Sequence, residues 1–189
     1  MEKKELELYI HIPFCVRKCN YCDFLSFPAD EDTQRQYVKA LCKEIFYYGA
    51  HCRDYVVSTV YIGGGTPSWL WESDMAEIMD AVHKNFALLP DAEVSVECNP
   101  GTVTAQKFAV YRQSGINRIS LGLQSAQNVE LKMLGRIHTW EQFLKTYELA
   151  RAGGFSNINV DLMSSLPGQH TATYADSLQK VCRLKPEHI

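Results

Sequence analysis

The sequence predicts an α/β protein built as a partial (β/α) barrel, with five βα units legible along its 189 residues. Three observations predict it. Strand patterns alternate with helix patterns from end to end, which implies parallel strands joined by right-handed crossovers. Strands carry one polar face each, whereas a buried parallel strand in an open sheet should be apolar on both. Finally, polar residues gather at the strands' C-terminal ends, the rim where β/α barrels place their sites. An open doubly wound sheet satisfies the alternation but not the polar faces.

The first strand pattern is Leu6–Ile12, with Tyr9 and His11 on one face and Ile10 and Ile12 on the other. Helical spacing follows at Tyr37, Leu41 and Ile45. The second strand, Val56–Ile62, leads to a helix marked by Met75, Ile78, Met79 and Val82, with Ser73 as its expected cap. The third, Glu93–Cys98, sets Ser95 and Glu97 opposite Val94, Val96 and Cys98, and Phe108 and Tyr111 mark the next helix. The fourth, Arg118–Leu123, precedes a helix carrying Phe143, Tyr147 and Ala150, stopped by Gly153-Gly154. In the fifth, Asn157–Leu162, Asn157, Asn159 and Asp161 oppose Ile158, Val160 and Leu162, and Leu178 and Val181 mark the last helix. Lys185-Pro186-Glu187-His188-Ile189 reads as the approach to a sixth strand, so the expectation is one core domain, 1–189, of a longer, truncated architecture.

Composition narrows the class. A hydrophobic content of 46% lets this length bury a sizeable core. The start, Met1-Glu2-Lys3-Lys4-Glu5, is charged and resembles no secretion signal, and no apolar run is long enough to span a bilayer. A formal charge of −3 gives no electrostatic footprint for nucleic acid. The 7 cysteines are an odd number, which argues against a disulfide framework and for a reducing, cytoplasmic setting. Cys42, Cys52, Cys98 and Cys182 are isolated and expected to be small buried hydrophobes.

The other three cysteines carry the chemistry. They stand in Cys15-Val16-Arg17-Lys18-Cys19-Asn20-Tyr21-Cys22, just after the first strand. Three thiolates on one short loop can hold three irons of a 4Fe–4S cluster and leave the fourth without a protein ligand. A small molecule can bind that open iron and receive an electron. A zinc site with His11 as fourth ligand is an alternative, though no second two-ligand knuckle follows downstream, and unreactive thiols are another. Tyr61-Ile62-Gly63-Gly64-Gly65-Thr66-Pro67 ends the second strand in a glycine triplet whose backbone a ligand can approach closely. It is neither a Walker loop nor a G-x-G-x-x-G fingerprint. Glu97 and Asp161, carboxylates facing a barrel interior, need partners: Arg118 or Arg136 in an ion pair, or an ammonium group or ribose hydroxyls of a ligand. Gln124 ends the fourth strand on the same rim.

Together these segments resemble a known family. Tyr9-x-His11-x-Pro13-Phe14-Cys15-x-x-x-Cys19-x-Tyr21-Cys22, Gly63-Gly64-Gly65-Thr66-Pro67, Glu97-Cys98-Asn99-Pro100, Gly122-x-Gln124-Ser125 and Asp161-Leu162-Met163-x-x-Leu166-Pro167-Gly168 are similar to the radical SAM proteins, in order along nearly the whole chain. Within them the likeness is to the group holding oxygen-independent coproporphyrinogen III oxidase and the heme chaperone HemW. The resemblance implies a radical SAM barrel with a cluster on Cys15, Cys19 and Cys22. It implies S-adenosylmethionine (SAM) on the open iron, lying along Gly64, Gly65 and Thr66, with Tyr9 and Glu97 lining the region. Gln124, Arg136 and Asp161 match positions that contact SAM, and Tyr21 matches an aromatic between the last two cluster cysteines. An external one-electron reductant would then drive cleavage of the sulfonium to methionine and a 5′-deoxyadenosyl radical. Two departures from the oxidase, Phe24 in place of a further cysteine and the short stretch before the first strand, point to the chaperone branch. The function expected is heme binding and transfer to an acceptor protein, with porphyrinogen decarboxylation as the alternative. No catalytic side chain and no heme ligand is assigned.

Overall fold

The computed structural model describes residues 4–189; the charged start at Met1–Lys3 lies outside the described residues. Five parallel strands form one open sheet in chain order: β1 (Lys4–Ile12), β2 (Tyr55–Gly64), β3 (Leu88–Cys98), β4 (Arg118–Gln124) and β5 (Ile158–Leu162). A doubly wound sheet reverses its strand order at a switch point. This one advances in a single direction, as a barrel does, and stops before closure. At the far side of β5, His188 forms an isolated parallel bridge with Asn159, and Val160 N–H donates to the His188 carbonyl at 3.1 Å. The chain's last residues thus lie where the expected sixth strand would run.

The strands sort their residues by parity. Ile10, Ile12, Val60, Ile62, Val94, Val96, Ile119, Leu121, Ile158 and Val160 are buried under the helices. Those helices are α1 (Glu31–His51), α2 (Glu72–Asn85), α3 (Ala105–Gln113), α5 (Trp140–Ala152) and α6 (Thr171–Arg183), with a short α4 (Asn128–Met133) after β4. Most of their periodic residues behave as the spacing predicts: Leu41, Ile45, Met75, Ile78, Met79, Val82, Phe108, Tyr111, Phe143, Tyr147, Ala150 and Val181 are buried, while Tyr37 and Leu178 are half-buried. Side-chain caps fix several starts. Asp30 accepts from Thr33 N–H at 2.9 Å, Thr104 from Lys107 N–H, and Thr139 with Gln142 forms a capping box.

Four local readings are corrected. Ser73 does not cap α2; the helix begins at Glu72 after Trp71, whose side chain makes no cap bond. β3 starts at Leu88 rather than Glu93, because Leu88 pairs with Val57 before Pro90 and Asp91 break the ladder, and pairing resumes at Glu93–Thr59. Asn157 precedes β5 rather than opening it. Of the isolated cysteines only Cys98 is buried; Cys42 and Cys52 are half-buried and Cys182 is exposed. The Gly153-Gly154 stop holds, with Gly153 as the C-cap of α5 and Gly154 at φ +85°.

Candidate functional site

The cysteine loop leaves β1 at Ile12 and is closed at its base. Phe14 and Phe27 form a parallel bridge, Phe27 N–H donates to the Pro13 carbonyl at 2.9 Å and Cys15 N–H to the Phe27 carbonyl at 3.2 Å. Within it Cys22 N–H donates to the Cys19 carbonyl at 3.1 Å, a turn that brings these two cysteines to one side. Cys15 is buried, while Cys19 and Cys22 are half-buried. Burial pushes the Cys15 thiol up, and a hydrogen bond from Ser26 works against it.

The loop is fitted onto β2 through the glycine triplet. Gly65 N–H donates to the Ile12 carbonyl at 2.8 Å and Thr66 N–H to the Phe14 carbonyl at 2.7 Å. A Cβ on Gly65 would sit 2.6 Å from the Phe14 carbonyl oxygen, and Gly64 has φ +123° with its would-be Cβ 2.8 Å from the His11 ring. Close backbone packing as well as open ligand access therefore requires these glycines.

One cavity at the C-terminal rim is lined by Cys15, Cys19, Tyr21, Cys22, Gly64, Gly65, Thr66, Glu97, Gln124, Arg136 and Asp161. Every residue matched to the cluster or to SAM lines it except Tyr9. The Tyr9 ring lies 6.3 Å from that of Tyr61 at an angle of 23°, and its hydroxyl bonds His11 Nδ1 at 2.8 Å. Tyr9 thus stands level with its register partner Tyr61, outside the cavity lining, and the Tyr61 hydroxyl donates to Glu97 Oε1 at 2.6 Å. Glu97 also accepts from Gly64 N–H at 3.1 Å. Burial holds its carboxyl above the ordinary range, and those two hydrogen bonds oppose the shift. Gln124 has φ +73° beside a register shift in the β4–β5 ladder, a strained backbone of the kind found at binding sites.

Of the two alternatives for the carboxylates, the ion pair with Arg118 or Arg136 does not form. Arg118 pairs with Glu93 at 3.2 Å instead, and Arg136 donates to Asn99 Oδ1 at 2.6 Å and the Gly122 carbonyl at 2.5 Å. Asp161 accepts from Ser120 at 3.3 Å and Asn159 at 2.7 Å. Among the described residues, neither Glu97 nor Asp161 faces a cation within ion-pair distance, so a cationic ligand has two carboxylates available at this rim.

Sequence reasoning missed Asn99. Its amide donates to Thr66 Oγ1 at 2.8 Å while its oxygen receives Arg136, so it ties the glycine segment to the far rim. The available signal was its position in Glu97-Cys98-Asn99-Pro100, a segment already singled out. His11, the fourth ligand of the zinc alternative, has both ring nitrogens engaged, by Tyr9 and by the Leu25 carbonyl at 3.0 Å. Among the described residues, no three His, Cys, Asp or Glu side chains converge closely enough to hold a single ion.

The donor set suits a cluster with one open iron. Cys98 also touches the cavity, but its thiol bonds Ser68 and complete burial pushes it up to about 12, so it stays protonated. Phe24, which also lines the cavity, brings no donor atom. Three thiols are left for the group, beside backbone amides and two carboxylates.

The fold and this rim define a class: an open β/α barrel whose C-terminal edge presents a three-cysteine loop to a polar cavity. The chain belongs to the radical SAM superfamily, whose family model matches residues 9–181. It is 40% identical over 185 residues to the heme chaperone HemW of Escherichia coli, covering 97% of this chain and 49% of that one. It is 36% identical over 183 residues to HemW of Bacillus subtilis, covering 95% and 48%. The chain thus spans about half the length of the curated relatives it matches. Among solved structures, coproporphyrinogen III oxidase (HemN) from Escherichia coli superposes with a TM-score of 0.89 at 31% identity, over 98% of this chain and 43% of that one. Methylornithine synthase (PylB) superposes with a TM-score of 0.65 at 12% identity, covering 99% and 53%, a likeness of fold alone. Among the described residues no helix is long and apolar enough to cross a membrane.

Proposed function

We propose that this chain is the cluster- and SAM-binding part of a HemW-like heme chaperone. The observation that carries the cofactor reading is the convergence of Cys15, Cys19 and Cys22 on one cavity with Gly64, Gly65, Thr66, Glu97, Gln124, Arg136 and Asp161. The cysteines would hold the 4Fe–4S cluster, with SAM on its open iron. Glu97 and Asp161 supply the negative charge that an ammonium or ribose hydroxyls would meet, and the Gly64–Gly65 backbone lets a ligand lie against the strand end. Tyr21 borders the cluster loop, and Tyr9 acts through Tyr61, fixing the ring that orients Glu97. When bound, the cluster and SAM supply one-electron chemistry; the protein positions them and limits water.

The chaperone reading is supported by likeness to HemW relatives over nearly the whole chain. Phe24 in place of the oxidase's further cysteine supports it too. The partners are then heme or a related porphyrin, an external one-electron reductant and a heme-acceptor protein, in a reducing, cytoplasmic compartment. The oxidase remains the second reading, favoured by the close superposition on HemN.

EPR of the anaerobically reconstituted, dithionite-reduced 189-residue chain, with and without SAM, tests the cofactors. A reduced-cluster signal that changes with SAM is expected; zinc in place of iron would overturn the reading. Hemin titration beside a coproporphyrinogen decarboxylation assay then separates the two functions. Saturable heme binding without carbon dioxide release is expected, and turnover would reverse the ranking.

A further inference from the structure

The rim segment after α4 is built against the cysteine loop. Arg17 Nη2 donates to the Gly135 carbonyl at 2.8 Å, Asn20 N–H to the Leu134 carbonyl at 3.0 Å, and Asn20 Nδ2 to the Met133 carbonyl at 2.9 Å. Gly135 has φ +72°, and a Cβ there would sit 2.8 Å from Asn20 Oδ1. These anchors carry Arg136 to a fixed place beside a cluster cysteine. Its Nη1 lies 3.7 Å from Cys19 Sγ and 3.5 Å from the Tyr21 hydroxyl. Its Nη2 is taken by Asn99 and Gly122, and its buried Nε has no partner among the described residues.

The neighbouring cations differ. Arg17 and Lys18 are exposed, and their donors are turned to the Gly135 and Phe24 carbonyls. Their charge is screened by solvent. Arg136 is half-buried, and a guanidinium stays charged in proteins. Its field at Cys19 is therefore screened much less. A cluster gains one unit of negative charge on accepting an electron, so a fixed cation beside one of its thiolates stabilises the reduced state. Hydrogen bonding and charge near the sulfurs are recognised means of setting cluster potentials.

We propose that Arg136 is a positioning residue for the cluster's charge: through the Cys19 thiolate it raises the potential at which the cluster accepts its electron. This rests on the proposed cluster and gives Arg136 a role that does not need SAM. A plain strut between Asn99 and Gly122 would affect stability but leave the potential alone.

The test is an EPR-monitored dithionite titration of the reconstituted 189-residue chain without SAM, in wild type, Arg136→Lys, Arg136→Gln and Lys132→Met. Arg136→Gln keeps donors but loses the charge, and Arg136→Lys keeps the charge but loses the fork. The expected result is a midpoint lowered in Arg136→Gln by about tenfold in the reduction equilibrium, about 59 mV for one electron. Arg136→Lys should stay near wild type, and Lys132→Met, which removes an exposed cation from the neighbouring α4, should not shift. Equal midpoints in wild type and Arg136→Gln would overturn the proposal. A wild-type chain that takes up no iron would instead overturn the cluster itself, and iron analysis separates that failure from the other. If Arg136→Gln alone fails to fold, a midpoint shift between wild type and Arg136→Met decides the question with the same signs.

Discussion

The two faces of the sheet are made by the same strands and do opposite things. The convex face is apolar, sealed by helices, with Ile12, Ile62, Val96, Ile119, Leu121 and Val160 wholly buried. The concave face carries Tyr9, Tyr61, Glu97, Ser120, Asn159 and Asp161, and both Tyr9 (61% exposed) and Tyr61 (39%) meet solvent. Every second residue thus belongs to stability and every other to the site. A one-residue slip would exchange them, so the apolar face fixes the register that the site depends on.

This division can be broken most severely by charge. His138, 4% exposed, is held near the Leu123 carbonyl, in the seam beside Arg136 and the cysteine loop; burial, and then Arg136, pull it down to about 3 from an ordinary 6.5. The unfolded chain protonates it below about pH 6.5 and the folded chain only near pH 3. Stability is then fully present above pH 6.5 and lost as pH falls towards 3, by up to roughly 5 kcal/mol at 1.36 kcal/mol per unit. Urea unfolding across that window, compared with His138→Gln, measures it. The variant should have a flatter acid limb, and identical slopes would refute the assignment. Concave carboxylates such as Glu97, held up by burial, change stability with the opposite sign. Only the difference between the two proteins is therefore diagnostic.

Phe108→Ala attacks the sealed side by volume. The ring is fully buried, 5.6 Å from Phe155 and 6.4 Å from Tyr111. A loss of about 3–5 kcal/mol is expected. Cys19→Ala on the iron-free chain, a half-buried change at the other rim, should cost less than about 1 kcal/mol while reducing iron uptake. Comparable losses from the two would erase the distinction between the faces.

The seam between the faces responds in between. Gly65→Ala forces a Cβ to within 2.6 Å of the Phe14 carbonyl oxygen, which backbone atoms can relieve only by moving the cysteine loop away from β2. About 1–3 kcal/mol of destabilisation is expected, with iron content falling alongside it. Unchanged iron binding in a destabilised variant would show that the loop is set by Phe14–Phe27 pairing and not by the glycine contact.

What the sequence made legible follows the same division. Strand alternation placed Tyr9, Glu97 and Asp161 on the concave face, and helical spacing placed Phe108 and Val181 in the core, because both periods are local. Distance along the strand was harder. Tyr9 shares a face with the site but stands two residues short of His11 and level with Tyr61, outside the cavity lining, which no period reveals. Long-range partners were not legible at all. Arg118 and Arg136 were offered equally to Glu97 and Asp161, and only the register shows that Arg118 meets Glu93 while Arg136 bonds Asn99 and Gly122. Asn99 carries no local signal, since its two side-chain bonds cross to other segments.

The smallest effect tests the concave face itself. Tyr61→Phe removes the hydroxyl that donates to Glu97 at 2.6 Å, leaving the carboxylate with Gly64 N–H, whereas Tyr9→Phe removes only a bond to His11. Tyr61 is partly exposed, so water can replace much of what is lost, and a cost of about 1 kcal/mol in urea unfolding is expected. Because the hydroxyl stabilises the ionised carboxylate, its loss should raise the Glu97 titration midpoint further, readable by NMR. Tyr9→Phe should leave that midpoint in place. Equal shifts from both would mean that the two rings act on Glu97 as one unit, and that Tyr9 belongs to the site's inner layer after all.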